Sequence, residues 1–246
     1  MIIDCHAHLN LKQFDNNRDS VINRARDADV TWIIENGLER KSNLQALALS
    51  NLCPMVKPAF GLYPQNVGRL DLDSEFEILE KYNESYIALG EIGLDGMEGD
   101  LGLQKEILRR LIALGKKHSK PLIVHSRKAE KEVLAVLREE RAENVILHAF
   151  HGSLGLAKEA VKLGYFISIP CNVVRSSQMQ SFVSELPISH LVTETDAPYL
   201  GPNSREEINE PKNIRLSIKK IAEIKGLTQK DTENILFDNA RRIFSL

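Results

Sequence analysis

Six side chains able to ligate a metal ion recur at the ends of short apolar runs. His6 and His8 close "MIIDCHAH", Glu91 ends "YIALGE", His125 lies in "PLIVHS", His148 in "NVILHA" and Asp196 in "HLVTETD". Imidazole nitrogens and carboxylate oxygens together bind divalent cations such as Mg, Mn or Zn, and such cations supply Lewis acidity for hydrolysis. His6 and His8 are two residues apart, so on a strand their side chains point the same way and can take one ion together. The competing reading is a pair of hydrogen-bonded histidines in a loop. Asp4 shares their parity one step deeper and is placed to orient a ligand.

A carboxylate ending a buried run is costly unless it is paired or bound to metal. Glu91 therefore reads either as a bridge between two ions or as the partner of a buried lysine. His125 and His148, on the two runs that follow, favour a second ion over a pair of satisfied core histidines. Asp196 can ligate metal and also accept the proton of an attacking water. Glu194, of the same parity, is either a support for the site or a solvated acid. His118 sits at a helix end, where the dipole alone explains it. His190 opens the last run, ahead of its strand, at the far end of the fold from the chemistry. The pairs Arg109-Arg110 and Lys116-Lys117 read as solvated faces of one helix.

The elements that must position these groups are legible as a repeated pattern. Eight apolar runs occur, at 1–6, 30–35, 55–60, 86–91, 121–126, 144–149, 165–170 and 190–196, and successive runs start 21 to 35 residues apart. Each has the Val/Ile/Leu character of a buried parallel strand. Each gap has room for a helix and two loops. Helical patterns fill "DNNRDSVINRARDA", "LGLQKEILRRLIALGKKHS", "RKAEKEVLAVLREE" and "SLGLAKEAVKLG", the last followed by Gly164 at a C-cap position. Two more helices are predicted near 212–225 and 228–244. Eight βα units in a chain of 246 residues predict a single-domain (β/α)8 TIM barrel over 1–246, whose chemistry sits at the C-terminal ends of the strands. An open doubly wound sheet is the alternative, but no G-x-G-x-x-G follows any run.

Composition narrows the function classes. The formal net charge is -2, which excludes a generally basic nucleic-acid coat and makes long-range steering of a polyanion weak. The cysteines, Cys5, Cys53 and Cys171, are three in number and scattered, so a disulfide framework is not expected and a reducing compartment is. No signal-peptide pattern opens the chain and no apolar run is long enough to span a membrane. The expectation is a soluble cytoplasmic protein with no membrane association and no obligate protein partner.

The sequence resembles the TatD-like metal-dependent deoxyribonucleases of the amidohydrolase superfamily along its whole length. The resemblance rests on "IDCHAHL" (3–9), "GLYP" (61–64), "LGEIGLD" (89–95), "PLIVHSR" (121–127), "LHAFHGS" (147–153), "GYFISI" (164–169), "TETDAPYL" (193–200) and "NARRIF" (239–244). It implies a (β/α)8 barrel with a two-ion centre. One ion takes His6, His8 and Asp196, the other takes His125 and His148, and Glu91 bridges them where more distant relatives use a carbamylated lysine. Two departures lie near the mouth. Tyr63 and Gln65 stand where many members carry histidines, and Gly96-Met97 where many carry an aromatic pair. They leave the ligands intact and bear on substrate preference.

The resulting expectation is phosphodiester hydrolysis by a DNase of 3'-5' exonuclease type, acting on single strands or strand ends. Asp196 and Glu91 are the catalytic carboxylates. Ser126 and Arg127 are expected to hold a phosphate oxygen, helped by a helix N-terminus, with Arg175 and Arg205 as further anion contacts and His151 as a substrate contact. Tyr63 either stacks on a base or sugar or fills the barrel rim. The rival enzyme reading is ester or amide hydrolysis, such as deacylation of a misacylated transfer RNA or opening of a lactone. The non-enzymatic rival is a binding protein that has lost catalysis, against which the complete ligand set argues.

Overall fold

The computed structural model describes residues 1–204 and 206–246; Arg205, one of the anion contacts expected from the sequence, lies outside the described residues. Among the described residues strands and helices alternate: β1 (Ile2–Ala7), α1 (Arg18–Asp27), β2 (Val30–Asn36), α2 (Arg40–Leu52), β3 (Val56–Phe60), α3 (Leu72–Lys81), β4 (Ala88–Gly93), α4 (Leu101–Lys117), β5 (Leu122–His125), α5 (Glu130–Glu139), β6 (Val145–Leu147), α6 (Leu154–Lys162), β7 (Phe166–Ile169), α7 (Ser177–Glu185), β8 (Leu191–Thr193), α8 (Ile214–Lys225) and α9 (Gln229–Phe244). The strands stand in the sheet in the order of the sequence. Each of the eight apolar runs coincides with one strand, though most strands are shorter than their runs. The chain divides into two compact units, Met1–Glu35 with Ile167–Leu246, and Asn36–Phe166.

In the first unit β1 pairs in parallel with β2, Ile2 opposite Val30 and Ala7 opposite Glu35. β7 pairs in parallel with β8, Ile167 opposite Leu191 and Ile169 opposite Thr193. The chain beyond β8 then joins the end of β1 through a parallel bridge between Ala7 and Ala197. α9 carries the "NARRIF" sequence, and the first residue of that motif has a visible task. Asn239 Nδ2 donates to the carbonyls of Ile188 and Leu191, both at 2.8 Å. The Ile188 carbonyl also accepts from the Leu191 N–H, so the helix ties down the turn that leads into β8. Phe237 of the same helix stacks on Trp32, with ring centroids 6.1 Å apart.

In the second unit β3, β4, β5 and β6 pair in parallel in succession. Val124 stands opposite Leu147 and Gly93 opposite His125, so the chain positions bearing His125 and His148 leave the sheet at one level. Two glycines permit this register. A Cβ on Gly61 would lie 2.2 Å from the Glu91 nitrogen, and one on Gly93, at φ +142°, would lie 2.0 Å from the His125 carbonyl oxygen. The glycines of "GLYP" and "LGEIGLD" thus let neighbouring backbone close in around Glu91 and His125. Ile92, Ile123, Val124, Leu108 and Leu147 are fully buried around them, each side chain contributing roughly 1.5–3 kcal/mol by leaving water.

α2, α3 and α7 carry no signal that singled them out in the sequence. For α2 the reason is specific. Its buried positions are Asn43 and Ala46, so its inner face breaks the apolar pattern. Asn43 instead accepts from the Gly61 N–H and donates to the Gly61 carbonyl, both at 2.9 Å. Gly164 has φ +84°, the left-handed geometry expected of it at the end of α6. All three cysteines are free.

Candidate functional site

Each unit gathers one cluster of candidate ligands. In the first, β1 projects Asp4 and His6 by strand alternation, and His8 follows one residue past the strand end. His6 and His8 are buried. Their Nε2 atoms are 3.0 Å apart, and each lies 3.6 Å from Asp196 Oδ1. Metal–ligand bonds of about 2.0–2.2 Å place neighbouring ligand atoms roughly 3–3.5 Å apart around a tetrahedral or octahedral ion. The spacing and the N,N,O donor set therefore fit a divalent cation.

Asp196 does not end β8, which stops at Thr193. It sits in the loop beyond, at φ +53°, and that loop is stitched to β1. The Asp196 N–H donates to the His6 carbonyl and the His8 N–H to the Ala197 carbonyl, both at 2.8 Å. Asp4 acts on the candidate ligands through the main chain: it accepts from the His6 N–H at 3.3 Å. It also accepts from Thr195 N–H at 2.8 Å and Thr195 Oγ1–H at 2.5 Å, and so anchors the residue next to Asp196. Burial pushes the Asp4 carboxyl up to about 8 against the pull of those hydrogen bonds. Glu194 is wholly buried, which overturns its reading as a solvated acid.

In the second cluster Glu91 lies inside β4, two residues before the strand ends, His125 ends β5, and His148 is the first residue after β6. His125 Nδ1 is 2.8 Å and His148 Nε2 3.9 Å from Glu91 Oε1. These three residues form a group able to hold a cation. The other nitrogen of His125, Nε2, is 2.9 Å from Asp95 Oδ2. A carboxylate behind a histidine fixes the ring and its tautomer, the usual support of a metal-ligating imidazole.

Asp95 was not singled out from the sequence, although it shares the strand parity of Glu91 and Gly93 within "LGEIGLD". It is itself fixed. Its Oδ1 accepts from Met97 N–H at 2.8 Å, its N–H donates to Gln104 Oε1 at 2.8 Å, and Tyr63 Oη lies 3.5 Å from its Oδ2. Burial acts to raise the Asp95 carboxyl, but His125, the Met97 amide and the charge of Arg127 together hold it below the usual aspartate range. Burial pulls the His125 imidazole down, and its hydrogen bonds to Asp95 and Glu91 outweigh that, so it titrates above the ordinary histidine value.

The expected substrate contacts differ in their surroundings. Arg127 is exposed and Ser126 buried, but the helix that was to help them already has Glu130 and Glu132 in its first turn, and these acids offset its N-terminal dipole. Arg175 directs Nε and Nη2 at the Gly201 carbonyl, at 3.4 and 3.2 Å, bracing the segment after Asp196. His151 is exposed, its Nδ1–H donating to the Ala149 carbonyl. Tyr63 meets His125 edge-on, ring centroids 5.1 Å apart, which favours the rim-filling role named for it. Away from the clusters, His118 pairs with Glu80 at 2.8 Å, Arg109 with Glu139 at 2.8 Å, and Arg110 lies over the Phe76 ring at 3.9 Å.

The sequence profile described as TatD related DNase matches residues 3–245. The chain belongs to that family. A mouse protein, the putative deoxyribonuclease TATDN3, is 37% identical over 261 residues, covering 99% of this chain and 88% of its own. The human deoxyribonuclease TATDN3 is 36% identical, covering 99% and 94%. The uncharacterized metal-dependent hydrolase YabD of Bacillus subtilis is 34% identical, with both chains covered in full. Among solved structures, the Escherichia coli TatD homologue YJJV superposes with a TM-score of 0.92 at 27% identity, covering 100% of this chain and 98% of that one. The fold class is the (β/α)8 barrel expected from the sequence. This member of the TatD family is an enzyme, a hydrolase with His/Glu/Asp clusters that could bind metal. Among the described residues no helix is long and apolar enough to cross a membrane.

Proposed function

We propose that this chain is a two-metal phosphodiesterase acting on DNA, an exonuclease of 3'-5' type on single strands or strand ends, working in the cytoplasm as one domain over residues 1–246. The observation that carries the reading is the donor geometry. One unit converges two imidazole nitrogens and a carboxylate oxygen at 3.0–3.6 Å. The other gathers Glu91, His125 and His148. Family membership supports the same assignment, since the human relative is named a deoxyribonuclease.

In this reading His6, His8 and Asp196 would hold one ion, and Glu91, His125 and His148 would hold a second. Mg, Mn or Zn suits such a donor set. Divalent cations bound there supply Lewis acidity to the phosphodiester and acidity to the attacking water. Asp196 takes the water's proton on its carboxylate. Asp95 keeps His125 turned with Nδ1 toward Glu91. Arg127, exposed and close enough to bear on Asp95, meets a phosphate oxygen, and Ser126, His151 and Arg175 are further candidate substrate contacts. The test is release of nucleotides from single-stranded DNA by purified protein supplied with Mg, Mn or Zn, run beside deacylation of aminoacyl-tRNA. Metal-stimulated nucleotide release is expected. Deacylation without nucleotide release would replace the nuclease by a deacylase, and no metal-stimulated hydrolysis of either would leave a binding protein.

A further inference from the structure

The first cluster depends on a segment that β1 does not hold. The strand ends at Ala7, and the last backbone bond in line with it is His8 N–H to the Ala197 carbonyl at 2.8 Å. The next two amides turn to a side chain. Leu9 N–H donates to Glu35 Oε2 at 2.6 Å and Asn10 N–H to Glu35 Oε1 at 2.9 Å. The Leu9 carbonyl accepts from Arg18 Nε at 2.7 Å. Glu35 is 1% exposed and stands near the end of β2 with its backbone opposite Ala7. Neither family motif nor ligand pattern drew attention to it.

A carboxylate has two acceptor oxygens in one rigid plane, which matches two successive amides as no single-acceptor side chain can. Burying it is costly, and what it secures is the path of the chain immediately after a ligand. An imidazole swings with its backbone, so freedom at residues 8–10 becomes displacement of His8 Nε2 from His6 Nε2.

We propose that Glu35 is a positioning residue that sets the cation affinity of the His6, His8 and Asp196 cluster by clamping the turn at Leu9 and Asn10. The inference rests on the metal reading of that cluster. Outer groups that orient ligands typically govern affinity by about 10–100-fold. Glu35→Gln keeps the side-chain shape and one acceptor, and Glu35→Ala keeps none.

The experiment is titration of metal-free, full-length protein with Mn²⁺ by calorimetry, with apo melting temperatures recorded in parallel. His8→Ala marks the binding step that belongs to this cluster. Glu35→Gln is expected to weaken that step by about 10-fold and Glu35→Ala by about 100-fold, the other step staying at its wild-type value. If Glu35→Gln binds Mn²⁺ as the wild type does, whether or not its apo melting temperature falls, Glu35 merely shapes the fold and the assignment is wrong. Wild-type protein that takes up no Mn²⁺ sinks the metal reading itself, and the Glu35 assignment with it.

Discussion

The two clusters of candidate ligands are supported by different means. Around His6, His8 and Asp196, the buried acids Asp4 and Glu35 grip backbone: Thr195 N–H in one case, Leu9 and Asn10 N–H in the other. Around Glu91, His125 and His148, the buried acid Asp95 grips an imidazole directly. The difference follows from where the ligands stand. Glu91 and His125 lie within strands whose ladders already fix the main chain, so only a ring orientation is left to choose. His8 and Asp196 lie beyond strand ends, where the main chain itself must be pinned. The titration directions also differ. Burial wins at Asp4 over the Thr195 hydroxyl and amide, pushing it up to about 8, and at Glu35 over the charge of His8 and the Leu9 and Asn10 amides, pushing it up to about 7. At Asp95 burial loses to the His125 hydrogen bond, the Met97 amide and the charge of Arg127, and the carboxyl is held below the usual range.

Removing the ligand charge from the second cluster is the severest test. Glu91→Gln should lower the turnover of DNA by about 10³-fold, the several kcal/mol that metal-ion catalysis supplies, with the melting temperature of the metal-free protein little changed. Near-wild-type turnover and metal content would take Glu91 out of the ligand set. Asp196→Asn should cost about 10²-fold in rate, in the range for losing a general base, while the ion at His125 and His148 is retained. Equal loss of both ions in the two variants, read by elemental analysis, would mean that the clusters are not separately supported and would break the contrast.

Asp95→Asn should weaken one metal-binding step by about 10-fold. It should also lower the pH at which that step is lost on acidification, because the raised pKa of His125 depends first on its bond to Asp95 among the groups that lift it. A binding step with unaltered pH dependence would show that the ring is held by packing alone.

The smallest effect is on the pH dependence of stability. Asp4 keeps its proton in the fold up to about 8, against an ordinary value of 3.8. The folded state therefore binds more protons than the unfolded chain across that window. Its contribution to stability is full below the lower value and is lost as pH rises through the upper one. Asp95, shifted the other way, contributes above its ordinary value and loses that contribution as pH falls through its lowered one. Denaturant unfolding of metal-free protein between pH 5 and 8 should show a downward slope that Asp4→Asn flattens. An unaltered slope would mean that Asp4 is ionised in the fold.

Much of this arrangement was readable in the sequence, for local reasons. Apolar runs spaced by helical segments identify buried parallel strands, and a two-residue spacing puts His6 and His8 on one side wherever the strand lies. The capacity of Glu91, His125, His148 and Asp196 for metal was legible from their types and from the runs they follow. The boundaries were less so: Glu91 proved interior to β4 and Asp196 three residues beyond β8, because a strand ends where its neighbour's ladder ends and not where apolar character does.

By itself, then, the sequence determined the number and order of the strands, the donor atoms on offer and the close spacing of the first two. Tertiary structure alone decided what each buried acid meets. Asp4 meets Thr195, 191 positions away, and Asp95 meets His125, 30 positions away. A buried acid and a solvated one are the same letter. What an acid does depends on whether an amide, an imidazole or water stands opposite its oxygens, and that is known only once distant segments are brought side by side.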